Sequence, residues 1–228
     1  MLGRRMVLAG ALAAAGSAAR AAEPGDALAA RLVEAMGGAA AWRRAGGLRI
    51  AATHYEPQLA GPYDNVLAIA LDEPRMRFEG VSAWGMRRTR AVIGDRGWRV
   101  SELAPLGPMT AQQVKGDVDW WEAHPYRNVR RLAVGDPGVR PRVGEGGRLE
   151  LTRPDGSQFM WYRLNAQGEP FAFGVGDGPA GVVPGPLDAA PGGVRLPVWS
   201  ARMDGTFRAT GQKGQVTPDW PEVDWEKP

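Results

Sequence analysis

The densest group of chemically capable side chains in this 228-residue chain is Asp117, Asp119, Glu122 and His124, carboxylates combined with an imidazole. On a helix, positions three and four apart share a face, so Asp119 and Glu122 look one way while His124 turns off and Pro125 disrupts the segment. A metal centre needs convergent ligands. With two histidines and no His-x-x-x-His or His-Glu-x-x-His pairing, the spacing predicts a solvated helix face and no metal. Nucleophilic chemistry has as little support. Ser82, Ser101, Ser157 and Ser200 stand in strand-like contexts without a Gly-x-Ser-x-Gly around them, and the chain has no cysteine. His54 and His124 remain as candidate general bases for a hydrolase, although a lone histidine is more often a hydrogen-bonding part of the structure. Gly174-Val175-Gly176-Asp177-Gly178 lacks the lysine and the following helix of a phosphate loop and reads as a turn. No cofactor is expected and no catalytic set is assigned.

The nine tryptophans, at 42, 84, 98, 120, 121, 161, 199, 220 and 225, are the more unusual feature. Each brings a large apolar area and one donor. Most belong in a core or against a sheet, and some are candidates to line an apolar cavity or a carbohydrate-binding surface. Trp120 and Trp121, adjacent on a helix, cannot both face the core.

The elements that must position these side chains follow from periodicity. Leu28, Leu32, Val33 and Met36 recur at helical spacing from Asp26, a candidate N-cap, until Gly37-Gly38 ends the run. A short helical piece over 39–43 carries Trp42 up to Gly46-Gly47. The pattern then changes to a period of two, predicting strands over 48–55, 65–71 and 75–81, with Met76 and Phe78 alternating against Arg75, Arg77 and Glu79. Strands over 87–93 and 98–102 flank the turn Gly94-Asp95-Arg96-Gly97. Thr110-Ala111-Gln112-Gln113 has capping-box spacing and opens a helical region that Pro125 interrupts and that resumes to about Ala133. Strands follow over 148–152, 158–164 and 171–175, then a Gly/Pro-rich loop over 176–193 and a last hairpin of 194–201 with 206–210. Consecutive strands joined by short turns pair antiparallel, so the fold class is α+β: a large curved antiparallel sheet with helices covering its concave side and enclosing an apolar hollow.

Charge and cysteine usage narrow the function classes. Residues 1–21 read as an export leader: Arg4-Arg5, an apolar run from Met6 to Ala15, and Ala19-x-Ala21 for cleavage. As a helix that run rises ~15 Å, too short for a hydrocarbon core of roughly 30 Å, so no transmembrane segment is expected. The leader holds Arg4, Arg5 and Arg20 and no acid, which leaves 25 bases against 25 acids in residues 22–228, read as a single domain. Nucleic acid is therefore not an expected partner. Arg87-Arg88 with Arg90, and Arg127 with Arg130 and Arg131, read as solvated or salt-bridged faces. No cysteine follows the leader to carry a lipid anchor, so a free periplasmic or secreted protein is expected, exported by the general secretory or the twin-arginine route.

Four features carry a resemblance. Ala35-Met36-Gly37-Gly38-Ala39-Ala40-Ala41-Trp42 followed by Gly47-Leu48-Arg49, the Gly94-Asp95-x-Gly97-Trp98 hairpin, and Gly193-Val194-Arg195-Leu196-Pro197 together with the turn from Asn165 to Gly168 resemble LolA-like and LppX-like exported proteins. What the resemblance implies is a half-barrel whose open side is covered by helices and whose apolar cavity holds acyl chains or lipoprotein lipids, with no catalytic set to transfer. The chain departs from the lipoprotein members in lacking an acylated cysteine, and the 176–193 loop has no counterpart. The expectation is a non-catalytic binding protein for a lipid or another amphiphile. Leu48, Ile50, Met76, Phe78, Trp98 and Trp161 are the candidate cavity residues. Rival expectations are a periplasmic hydrolase using His54 or His124, and a protein-interaction or envelope-sensing module with a protein partner.

Overall fold

The computed structural model describes residues 24–102, 104–176, 178 and 181–225. The leader expectation falls on residues 1–21, outside the described residues. Helix α1 (Pro24–Ala35) ends where read: Gly38 N–H returns to Val33 C=O, and Gly37 and Gly38 both take positive φ. Helix α2 (Ala39–Arg43) follows, and Trp42 at its end is fully buried with its indole N–H on Met36 C=O at 2.9 Å.

The first half of the sheet is a meander: β1 (Gly47–Tyr55), β2 (Tyr63–Ala70), β3 (Arg75–Val81), β4 (Arg87–Ile93), β5 (Arg96–Ser101) and β6 (Ala104–Pro108). Pairing of Ile93 with Arg96 makes the β4–β5 turn two residues long, Gly94-Asp95, with Gly94 at φ 60° supplying the positive value a tight hairpin needs. Helices α3 (Ala111–Glu122) and α4 (Pro125–Val134) then cross over. The second half comprises β7 (Arg140–Val143), β8 (Leu149–Thr152), β9 (Gln158–Leu164), β10 (Pro170–Val175), β11 (Val182–Pro184), β14 (Ser200–Arg202) and β15 (Arg208–Thr217), while β12 (Leu187–Ala189) and β13 (Arg195–Pro197) form a separate ribbon.

Among the described residues thirteen strands form one antiparallel sheet in the order β6-β5-β4-β3-β2-β1-β15-β14-β11-β10-β9-β8-β7, open between β6 and β7. The last strand, β15, lies beside the first and joins the two halves. The fold is an α+β half-barrel. Register decides which side chains meet the helices, because directly paired residues share a face. Leu48, Ile69, Met76 and Val92 form one row across β1 to β4, on the face that Leu149, Leu151 and Met160 continue on the far side. These seven are nearly or completely inaccessible and form one core with Leu32, Met36, Trp42 and Val129 of the helices. Trp121 fastens α3 to the sheet through its indole N–H on Ala70 C=O at 2.7 Å.

The capping box at Thr110 is complete: its hydroxyl accepts from Gln113 N–H, and the Gln113 side chain accepts from Thr110 N–H. Thr110→Ala is expected to lower unfolding free energy by about 1 kcal/mol, read as a lower urea midpoint at unchanged slope. Three expected details differ. The residues over 194–201 split between β13 and β14, which belong to different sheets. The loop over 176–193 contains β11 and β12, and β6 and β7 extend the sheet at its two edges.

Candidate functional site

The sheet curls farther than the helices cover it, and the uncovered part of its inner face forms a hollow of about 790 Å³. That volume falls within the range of small-molecule pockets. Every strand from β5 to β10 in the sheet order contributes a lining residue, and α3 and α4 close one side with Trp120, His124 and Tyr126.

The floor is apolar. Ile50, Leu67 and Phe78 sit directly opposite one another on β1, β2 and β3, one row over from the sealed core. Phe173 and Val182, paired between β10 and β11, continue the apolar lining on the other flank. Trp120 and Trp121 divide as their adjacency demands: Trp121 is 4% exposed in the core, whereas Trp120 is 38% exposed and lines the hollow, its ring 5.3 Å from Phe78 and 4.8 Å from His124. Trp120 escaped the candidate set, although the tryptophan pair was the signal for it.

Register places the six candidates plainly. Ile50 and Phe78 line the hollow. Leu48 and Met76 share the inner face but lie beneath the helices, fully buried. Trp98 pairs with Ala91, which pairs with Arg77, and that row occupies the opposite, outer face. There the segment 218–225 crosses the sheet: Trp98 donates to Trp225 C=O at 3.1 Å, and the Arg75 guanidinium lies 3.6 Å from the Trp220 ring centre. Trp161, paired with Glu150 and Gly174, is also on the outer face, packed so closely on Gly174 that a Cβ there would stand 2.5 Å from its ring.

Polar lining gathers at the upper end of β1 and β2. Glu56 accepts from the Tyr63 hydroxyl and from Arg88 at 2.8 Å, and Arg88 also lies over the Tyr63 ring, 4.4 Å from its centre. Burial opposes ionisation of Glu56, but the hydrogen bonds from Tyr63 and Arg88 outweigh it and hold the carboxyl below its usual range. Burial first, then the Glu56 hydrogen bond, pushes the Tyr63 phenol well up. His54 Nδ1 is 3.3 Å from the Tyr63 oxygen, with its ring edge against Phe207. Burial, opposed by Glu56 and reinforced by Arg88, lowers His54 to about 4. His124 caps α4 without a side-chain bond, between the rings of Trp120 and Tyr126, and burial with a contribution from Arg127 lowers it to about 3. Both histidines are thus neutral near pH 7 and weak as bases there, since a general base works best with a pKa near the operating pH.

The carboxylates read as a possible ligand group are dispersed. Asp117 pairs with Arg90, Asp119 with Lys115 and Glu122 with Arg153. Among the described residues no three His, Asp or Glu side chains converge on a metal position. Nor is any described helix long and apolar enough to cross a membrane. The arginines read as salt-bridged faces divide by position. Arg130 and Arg131 hold Asp72 and Asp136, while Arg127 is buried over Trp121. Arg88 and Arg90 point to the inner face, where sequence reasoning did not place them, and Arg99 and Arg202 join them in the lining. Alternation was the available signal, because Arg88, Arg90 and Val92 share parity on β4.

An open antiparallel half-barrel with helices on its inner face and an amphipathic hollow beside them defines a LolA-like fold. No family model and no curated protein matches this sequence. Among solved structures it is similar to a LolA superfamily protein from Nitrosomonas europaea, with a TM-score of 0.51 at 12% identity over 90% of this chain and 99% of that one. A DUF1329 family protein from Desulfovibrio piger aligns with a TM-score of 0.48 at 8% identity, over 90% and 94% respectively. At 12% identity the likeness to the LolA superfamily protein is one of fold.

Proposed function

We propose that the chain is an exported, non-catalytic binding protein that carries an amphiphile in the inner-face hollow, with residues 1–21 as its leader and 22–228 as its single domain. The observation that carries this reading is the hollow itself: a space of about 790 Å³ floored by Ile50, Leu67, Phe78 and Phe173 and left open beside a sealed core. An acyl chain entering it removes CH₂ groups from water at ~0.8 kcal/mol each, which suffices for binding without any reaction. Leu48 and Met76 support the floor from below. Trp98 and Trp161 shape the sheet from its outer face and are not expected to touch ligand.

A fluorescent fatty acid whose emission rises in apolar surroundings tests this. Saturable uptake with one site per chain is expected, and Leu67→Trp, which fills the floor with a ring, is expected to weaken it about tenfold while the melting temperature holds, a loss of about 1.4 kcal/mol. Absence of uptake, or uptake indifferent to Leu67→Trp, contradicts the proposal. The rival hydrolase reading draws on His54 and His124 both lining the hollow. Replacing both with alanine separates the two, since a carrier keeps its ligand and a hydrolase loses turnover.

A further inference from the structure

The hollow is apolar along one part of its lining and cationic along another. The inner-face row that begins with Ile50, Leu67 and Phe78 continues directly into Arg90 of β4 and Arg99 of β5. Arg88 and Arg202 also line the space, against a single lining carboxylate among the described residues, Glu56, which Arg88 already holds. Arg202 is held by Asp204 beside it. Arg90 lies 4.2 Å over the Phe78 ring, with Asp117 at 3.3 Å as its one carboxylate, and burial raises that carboxyl against the opposing effect of Arg90. The Arg99 side chain has neither an ion pair nor a hydrogen bond among the described residues, and it faces Arg90 directly across the β4–β5 ladder. Like charges directly opposite in a sheet are destabilising, and the side chains stand about 5 Å apart at Cβ. Each guanidinium is a planar fork of donors suited to a phosphate or carboxylate, and the register brings two of them to one place.

We infer that the carried amphiphile has an anionic headgroup, a phosphate or a carboxylate, which lies between Arg90 and Arg99 while its tail runs along Phe78, Leu67 and Ile50. This rests on the carrier reading, and it sets the polarity of the ligand and its orientation in the hollow. Nothing needs to form or break covalently. An oxyanion offsets the repulsion of the arginine pair, and the tail fills the floor.

Calorimetric titration of the full chain with decyl phosphate, decanoate, decan-1-ol and decyltrimethylammonium, each below self-association, tests the inference. The two anions are expected to bind about tenfold more tightly than decan-1-ol, the cation more weakly than either, and only the anions should lose affinity as salt rises. Arg99→Glu is expected to remove the anion preference and leave decan-1-ol binding intact, which also reports that the hollow is folded. Arg99→Gln gives the same direction with a smaller loss and serves where Arg99→Glu does not fold. Decyl phosphate bound above decanoate identifies a phospholipid-type headgroup, and the reverse identifies a fatty acid. Equal binding of anions and alcohol, or a preference that survives both variants, overturns the headgroup inference and leaves the carrier reading standing. Failure of all four ligands overturns both.

Discussion

Trp42→Ala is expected to lower the unfolding free energy by about 3–5 kcal/mol, a large part of the roughly 5–15 kcal/mol that holds a domain folded. Trp42 is completely buried where α2 packs against α4, within a core cluster drawn from helix and sheet alike. Alanine removes the ring and leaves a cavity that the helices can close only by moving. It also removes the indole hydrogen bond to Met36 C=O at 2.9 Å, worth about 1 kcal/mol, although Arg195 N–H at 2.8 Å still satisfies that carbonyl. Trp42→Phe separates the two effects, since it keeps most of the packing and loses only the hydrogen bond. The consequence reaches the hollow because the start of α4 carries its cap His124 and Tyr126, both in its wall. Urea unfolding reads the result as a fall in midpoint. A loss under about 1 kcal/mol would mean that α2 is peripheral and that the helices are held otherwise.

The second large effect is acid sensitivity. His54 and His124 have folded-state pKa values of about 4 and about 3, below the 6.5 of a free histidine. A histidine depressed by folding is neutral in both states above pH 6.5. As pH falls below that value the unfolded chain takes up a proton that the folded chain refuses, so stability is lost from about pH 6.5 downward until the folded pKa is reached. Between pH 7 and pH 5 the two histidines together account for a loss of about 3–4 kcal/mol. Glu56 and Asp136, held below the usual carboxylate range, stay ionised through this window, and Asp117, raised by burial, acts weakly in the opposite sense. Urea midpoints at the two pH values should therefore converge when His54→Gln and His124→Gln are combined. A wild-type protein equally stable at both, or a loss that persists in the double variant, contradicts the burial of these rings.

The features legible in the sequence are those with a local cause. The end of α1 is set by Gly37-Gly38, the start of α3 by Thr110 and Gln113, and the β4–β5 hairpin by Gly94. The strands that escaped notice did so for two reasons. Both β6, with Pro105 and Pro108, and β7, with Pro141, carry proline, which reads against a strand because it lacks a ladder N–H. At a sheet edge that loss costs little, and these two strands are the edges. Strands β11 and β12 span three residues each, too short for any period to register.

The site was only half legible, because a period of two says which residues share a face and not which face is inner. Phe78 and Trp98 both lie on strands and are both half-buried, yet the register chain Phe78–Arg90–Arg99 leads into the hollow while Arg77–Ala91–Trp98 leads under the C-terminal segment. That segment covers the outer face through contacts distant in sequence, such as Arg75 on Trp220 and Arg77 on Asp224 C=O. No local pattern announces them. The cationic flank was hidden differently. Its arginines read as surface charge, and they are surface charge, turned inward by the curl of the sheet.

Mass spectrometry under native conditions, on the purified full chain before and after incubation with excess fatty acid, tests the central claim most directly. The carrier account predicts a single adduct per chain with the mass of one amphiphile, present on purification or formed on incubation, and less populated with Leu67→Trp at the same fatty-acid concentration. A protein that keeps the mass of the polypeptide alone in both samples contradicts it.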